Sequence, residues 1–538
     1  MPVEVSYPGV YIEELSSATQ GIAPVATGIT AFVGRTLWGP VERASDIFNF
    51  GDLQRLFGGL AVDYPLSYAV QQFFENGGSQ AQICRLFEHG VQGDGYARLS
   101  LATAEARLGL VAANPGAWGN RLSASVDTDG ITAQTMAPFT QYGLGESDLF
   151  NLTLSLTDAE GRIVASERYL NLAVADRAGT APFPNRIDRV LENQSNLARV
   201  DMLPEAAPIT QSVVSDGNGD NGTALSPTTM IGNRQARTGL YSLDNSDLFN
   251  LLCLPPDRRI HAGGDVSGQD LDPAVRQAAA SYCAERRAIF IVDPPADWQA
   301  KVAAGQIAAI DPASLGISGT SASGSPIARN AAVYFPRIIA EDMLDKGRPA
   351  VFAPCGAVAG IIAATDMARG IWKAPAGQSA GIAGIVGLET DLDDAANGVL
   401  NPLGINCLRN FSTYGPVVWG ARTLQGADAL ADDYKYLPVR RLVLFIEETV
   451  SRGTRWTAFE ANNEALWSSL RLQISSFLAD LQRQGAFYSY TITCDATTTT
   501  QVDIDQGVVN ILVLIAPAKP AEFIVIQIQQ STQMPAAE

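Results

Sequence analysis

Read by polarity alone, the chain changes rhythm several times. Between residues 23 and 90, short apolar runs alternate with amphipathic ones. Thr30-Ala31-Phe32-Val33-Gly34 has the length and the glycine end of a buried strand. Residues 67–76 predict a helix stopped by Gly77-Gly78, and residues 82–87 the next strand. From about 96 to 225 the pattern shifts to period two, as in Leu152-Thr153-Leu154-Ser155-Leu156. Gly, Asp and Asn turns separate these runs, and residues 215–222 form a polar loop, so a mostly β insertion is expected. From about 230 to 400 the α/β rhythm returns. Residues 248–254 are one apolar run, and residues 288–292 read as a strand preceded by a helix carrying Tyr282, Cys283 and Arg286. Unbroken apolar runs between helices predict parallel strands covered on both faces. Residues 311–328, rich in Ser, Gly and Ala, predict a loop.

The last part predicts two helices, over about 439–452 and 463–484. In the second, Leu466, Leu470, Ile474, Phe477 and Leu481 fall on one stripe. Strands are expected over 508–514 and 523–528, split by Pro517 and Pro520. At the other end Tyr7-Pro8-Gly9 is a turn signal and Val10-Tyr11-Ile12-Glu13 a short strand, so residues 1–22 read as an arm. The expected fold is α/β (α+β overall) and multidomain. It comprises an N-terminal arm (1–22), the first part of an α/β core (23–95) and an inserted mostly β domain (96–228). An α/β domain (229–400), a C-terminal core domain (401–515) and a C-terminal arm (516–538) follow.

Charge narrows the list of partners. The 538 residues carry 56 acids against 37 bases, a formal charge of −19. Such a chain repels phosphate backbones and anionic membranes, and its longest basic runs are only Arg286-Arg287 and Arg440-Arg441. No nucleic-acid partner and no membrane insertion are expected; the longest apolar runs are far too short to span a bilayer. The six cysteines include no CxxC pair and no zinc spacing, and read as buried apolar side chains in a reducing compartment. Residues 1–6, Met-Pro-Val-Glu-Val-Ser, show no signal-peptide pattern, so cytoplasmic synthesis is expected.

Catalytic chemistry finds little to build on. There are two histidines, His89 and His261, both beside loop residues, and no G-x-S-x-G elbow accompanies them. Residues 353–360, Ala-Pro-Cys-Gly-Ala-Val-Ala-Gly, follow a strand and open a helix, the setting of a phosphate-binding turn. They lack the lysine of a P-loop and a full G-x-G-x-x-G, so the glycines read as room for close helix–strand packing. Acid groups such as Glu447-Glu448 and Asp391-Asp393-Asp394 have no EF-hand spacing and read as a solvated face. No catalytic residue, cofactor or metal ligand is expected.

Several segments, taken in order, resemble the contractile tail sheath family of phages and extracellular injection systems. They begin with Tyr7-Pro8-Gly9-Val10-Tyr11-Ile12-Glu13-Glu14 and Asn114-Pro115-Gly116-Ala117-Trp118-Gly119-Asn120. Residues 248–256, 282–287 and 293–295 follow. Then come Thr365-Asp366-Met367-Ala368-Arg369-Gly370-Ile371-Trp372-Lys373, Val418-Trp419-Gly420-Ala421-Arg422-Thr423 and Val439-Arg440-Arg441-Leu442. Arg455-Trp456, Phe459-Glu460, Leu466-Trp467 and Lys519-Pro520-Ala521-Glu522-Phe523 close the series. Ala461 stands where the family often has proline, and the loop after Gly485-Ala486 is short.

The resemblance implies a subtilisin-like α/β domain without a protease triad. It implies a helical homo-oligomer of stacked hexameric rings around an inner tube, with baseplate and tail terminator proteins as further partners. The sleeve would contract from a metastable extended state. It also implies that the arms, through Val10, Tyr11 and Ile12 at one end and Phe523, Ile524, Val525 and Ile526 at the other, are donated to neighbouring sheets. The helices over 439–484 are expected to face the tube, with Arg440, Arg441, Arg452 and Arg455 as contact candidates. The alternatives are a non-contractile structural assembly protein and a hydrolase on a subtilisin-like scaffold.

Overall fold

The computed structural model describes residues 21–90, 93–259 and 270–523. Its centre is an eight-stranded sheet: β1 (Thr30–Gly34), β2 (Ser45–Ile47), β3 (Ala81–Arg85), β4 (Leu251–Cys253), β5 (Ile289–Val292), β6 (Ala331–Phe335), β7 (Ile405–Phe411) and β8 (Gly415–Val418). The spatial order is β8-β7-β6-β5-β4-β1-β3-β2. The six inner strands pair in parallel and the two edge strands antiparallel.

Side chains of a strand alternate between faces, so a strand buried on both faces must be apolar throughout. That is the pattern here. Phe32, Ile83, Leu251, Ile291 and Tyr334 enter one core with helices α1 (Pro65–Glu75) and α3 (Cys355–Arg369). Val33, Cys84, Leu252, Phe290 and Val333 enter the other with α2 (Pro273–Glu285). The helix expected over 67–76 begins two residues earlier, because Pro65 occupies its first turn.

Helix α3 reaches the sheet only by coming very close to α1. A Cβ on Gly356 would lie 2.0 Å from the Ala69 carbonyl oxygen, and one on Gly360 would lie 2.4 Å from that of Phe73. The two glycines, one turn apart, therefore serve helix–helix rather than the expected helix–strand packing.

Between β3 and β4 the chain builds two smaller antiparallel sheets, of four and three strands, around a core including Leu110, Trp118, Leu154 and Leu191. The buried Arg85, at the end of β3, ties this unit to the large sheet. Its guanidinium donates to the Gly39 carbonyl at 2.9 Å and the Pro115 carbonyl at 2.8 Å.

The C-terminal part contains helices α4 (Leu437–Gly453) and α5 (Glu464–Arg483), followed by strands β9 (Phe487–Thr493) and β10 (Leu512–Pro517). Both helices match their expected extents within two residues. The strand expected over 508–514 starts later for a local reason. Val508 N–H donates to the Asp503 carbonyl at 2.8 Å, closing the short helix Gln501–Asp505, so the chain straightens only from Leu512.

The α1–α3 contact yields a direct test. Gly356→Ala should lower stability by about 1–3 kcal/mol or more through overpacking against an unyielding backbone. Gly381→Ala, which meets nothing within 4 Å, should be neutral. Equal thermal melting of the two variants would refute the packing argument.

Candidate assembly interface

Strands β9 and β10 form an antiparallel sheet of two, and among the described residues neither has a further neighbour. One face is apolar and covered: Tyr490, Ile492, Val513 and Ile515 pack over Ile474, Phe477, Leu478 and Leu481 of α5. The opposite face leaves Leu512 and Leu514 about half exposed. A two-stranded sheet is marginal by itself, and its outer main-chain N–H and C=O groups are a template for another strand.

Both ends of the described chain lie beside this unit, and each is rooted by a buried arginine. At the N-terminal side Arg441 is 3% exposed and donates to both oxygens of Asp366, at 2.7 and 2.5 Å, and to the Thr27 carbonyl at 2.9 Å. Asn250 adds bonds to the Ala26 carbonyl and the Ile29 N–H, and the Thr449 hydroxyl accepts from Val25 N–H. At the C-terminal side Arg422, with no exposed surface, grips Glu522 through Nε at 2.8 Å and Nη2 at 2.5 Å. It also donates to the Asn401 carbonyl and to Asp428. From the Arg441 anchor the N-terminal segment runs along α4 to its end, where Ile22 abuts Gly453. The C-terminal root lies at its start, where the Tyr436 hydroxyl reaches Glu522. A helix of 17 residues separates the two exits by roughly 25 Å.

The expected contact residues divide accordingly. Arg440 and Arg441 are turned inward. Arg440 is 8% exposed, donates to Asn330 Oδ1 at 3.0 Å and lies over the Tyr434 ring. Arg441 holds the N-terminal root. Burial and pairing thus remove both guanidinium groups from any surface this subunit offers, contrary to their expected tube-facing role. Arg452 is paired with Asp247 and Glu448, each at 2.6 Å, and remains partly exposed. Arg455 is exposed, with no ion-pair partner among the described residues. Of the arm residues, Phe523 is exposed; Val10, Tyr11, Ile12, Ile524, Val525 and Ile526 lie outside the described residues, as does His261. Sequence reasoning missed Asp366, Arg422 and Glu522 as a structural set, although all three stand in the segments that carried the resemblance.

Two places where a doubly wound sheet usually takes a ligand are filled by the chain itself. At the strand-order reversal beside β1, Arg35 is paired with Asp257 at 2.6 Å and stacks on Tyr64. At the start of α3, where a phosphate would sit, Asp293 accepts from Cys355 N–H at 3.0 Å. Burial is the main cause that pushes the Asp293 carboxyl up to about 6, opposed by its bonds to Cys355 and by Arg337 and Arg276. His89 stands edge-on to Phe87. Among the described residues no group of three or more His, Cys, Asp and Glu is placed to hold a metal ion, and no helix is long and apolar enough to cross a membrane.

Comparison with known proteins places this architecture. The family model for the phage tail sheath protein central domain matches residues 249–424, and the model for the phage tail sheath C-terminal domain matches residues 431–531. The chain belongs to the phage tail sheath family. A tail sheath protein of Vibrio phage KVP40 is 32% identical over 170 residues, which is 31% of this chain and 25% of that relative. The match thus spans about a quarter of the relative's length. Among solved structures, the fold resembles a chain of the anti-feeding prophage baseplate, with TM-score 0.52 at 20% identity, covering 98% of this chain and 100% of that one. It also resembles a chain of an extracellular contractile injection system sheath complex in the contracted state, with TM-score 0.53 at 20% identity, covering 98% and 99%. A crystallised sheath tail protein from Listeria innocua gives 0.54 at 13% identity, covering 92% and 96%.

Two experiments follow from these buried charges. Arg441→Met leaves the Asp366 carboxyl buried without its partner, so it should destabilise the tail sheath fold by about 3–5 kcal/mol in chemical denaturation. A change below about 1 kcal/mol would deny the pair its anchoring role. Asp293 makes a pH prediction. Its carboxyl titrates near 6 when folded and near 4 when unfolded, so ionising it costs the fold. Wild-type stability should therefore fall as pH rises from about 4 to about 6 and level off above that. Asp293→Asn should gain on wild type across the same window, by up to about 3 kcal/mol, and a difference independent of pH would contradict this origin.

Proposed function

We propose that the protein is the structural subunit of a contractile tail sheath, polymerising as stacked hexameric rings around an inner tube. The observation that carries this reading is the two-stranded β9–β10 sheet, open at both edges among the described residues, beside two firmly rooted ends of the described chain. An extended segment added to such an edge gains main-chain hydrogen bonds and buries alternate side chains. Val10 and Ile12, and Phe523 with Ile524, Val525 and Ile526, supply that alternation at the two termini. Exits at opposite ends of α4 let each terminus serve a different neighbour. A head-to-tail contact whose rotation does not close builds a helix rather than a ring.

In this reading the sleeve works by repacking and not by catalysis. The extended state is metastable, and contraction buries more surface between subunits. Arg455, with Arg452 beside it, is the remaining candidate for contact with the tube, whose partner groups would be acidic. Baseplate and terminator proteins cap the two ends, and synthesis is cytoplasmic. A subtilisin-like origin of the α/β core is part of the same proposal and rests on the class of sheet alone.

Removing residues 1–20 should leave a folded subunit that no longer polymerises. Negative-stain electron microscopy and circular dichroism of the full chain and the truncated chain check this. Striated tubes from the truncated protein would overturn arm donation, and contraction that required added ATP would overturn the stored-energy account.

A further inference from the structure

The turn between α4 and α5 presents a side chain that its own subunit does not use. Phe459 is fully exposed, more so than any other large apolar side chain among the described residues. It also sits at φ +73°, in the left-handed region, and is the one aromatic among the described residues that does so. Both flanks of the turn are pinned. Trp456 Nε1 donates to Gln473 Oε1 at 3.2 Å. Asn462 accepts from Trp467 Nε1 at 2.8 Å and donates to the Val508 carbonyl at 2.9 Å. Asn463 then caps α5 by accepting from the Leu466 N–H. The flanking contacts therefore hold a strained backbone in place while the ring stays bare to solvent, which destabilises the monomer and finds no contact within it. Beside the ring, Glu460 is exposed and has no ion-pair partner among the described residues.

At the far end of α5 lies a cleft of about 770 Å³. Trp372, Trp419 and Phe523 give it an aromatic wall. Arg369, Lys373 and Lys519 also line it, and among the described residues none of the three has an ion-pair partner. The one carboxylate among the lining residues, Glu522, is committed to Arg422. We infer that Phe459 and Glu460 of one copy of the chain dock in this cleft of a second copy, the ring against the aromatic wall and the carboxylate toward the cations. The inference rests on the assembly reading above and adds to it a contact that uses neither terminus. An apolar ring with an anion beside it matches a cleft that offers aromatic rings with unpaired cations beside them. The turn cannot fill its own cleft. Asn463 caps the start of α5, and Gln484, the residue after its end, lines the cleft. A helix of 20 residues, roughly 30 Å long, thus holds the two apart. Complementary surfaces at opposite ends of one rigid helix join head to tail, which is the contact an open helical assembly requires. An aromatic side chain that fills a pocket is also the kind of anchor that carries most of the energy of an interface.

The test uses the full chain. Phe459→Gly removes the ring and relieves the backbone, so its thermal melting should equal or exceed that of wild type. The concentration needed for self-association, read by sedimentation velocity, should nevertheless rise about tenfold or more. A clearly lowered melting temperature would mean that the ring serves its own subunit, and unchanged self-association that it serves no neighbour; either result overturns the inference. Glu460→Lys should weaken self-association, most at low salt, and adding Lys373→Glu with Lys519→Glu in the same chain should restore it. Failure of the triple variant to recover would overturn the inference. Glu460 and Lys519 are exposed and Lys373 is half-exposed, so these variants should match wild type by circular dichroism. A second measurement places the photoreactive benzoylphenylalanine at position 459 in an equal mixture of isotopically light and heavy chains. Mass spectrometry should find crosslinks between light and heavy copies, at residues 369–377, 419–421 or 518–523. Crosslinks confined to one copy, or to any other part of the second, would overturn the inference alone. A wild type that stays monomeric at every concentration would overturn the assembly reading, and the inference with it.

Discussion

Arg441 and Asp366 are each almost fully enclosed, and the chain that sets out from Thr27 is hung on the same guanidinium. Taking two charges out of water costs several kcal/mol, and an apolar pair of equal volume would often stabilise a core as well or better. What the ion pair adds is direction. A bidentate fork fixes both its partners in orientation, and the third donor points at a backbone carbonyl that only one path of the chain can place there. Arg422 repeats the device at the other end with Glu522. In the assembly proposed above the two ends go to different neighbours, which needs them aimed, and hydrophobic packing alone is non-directional. The rest of the architecture follows from this requirement. Helix α4 is the spacer between the exits, and the large sheet is the rigid body against which α4 is held.

The large sheet carries the marks of a ligand-binding fold with its ligand positions filled. Asp293 places a carboxylate against the N-terminus of α3, the same role a phosphate group takes elsewhere. Arg35 and Asp257 occupy the crevice beside β1. Each filler lends rigidity at the expense of a binding site, and Gly356 and Gly360 then let α3 settle onto α1 without a gap.

Much of this was legible in the chain itself, and the limits have physical causes. The stripe Leu466, Leu470, Ile474, Phe477 and Leu481 located α5 closely because an amphipathic helix writes its own period. The apolar runs at 30–34 and 289–292 located parallel strands because burial on both faces allows no polar alternation. The arginines misled for the opposite reason. Arg440-Arg441 looks like surface charge on a helix, and nothing local shows that Asp366, 75 positions away, enters the same core. Long-range ion pairs leave no periodic trace. The late start of β10 has a similar root, since Val508 and Val509 are strand formers held in a turn by the capping of a five-residue helix.

The β9–β10 sheet is the other side of the same design. Its covered face is bonded to α5 through aromatic and branched residues, so the sheet exists before any partner arrives. Its edges are not blunted by a proline or a lysine within either strand, apart from Pro517 at the very end of β10. In a monomeric protein that would be a hazard, because any passing strand of alternating polarity would pair with it. Specificity must then come from somewhere other than the backbone ladder, which reads no sequence.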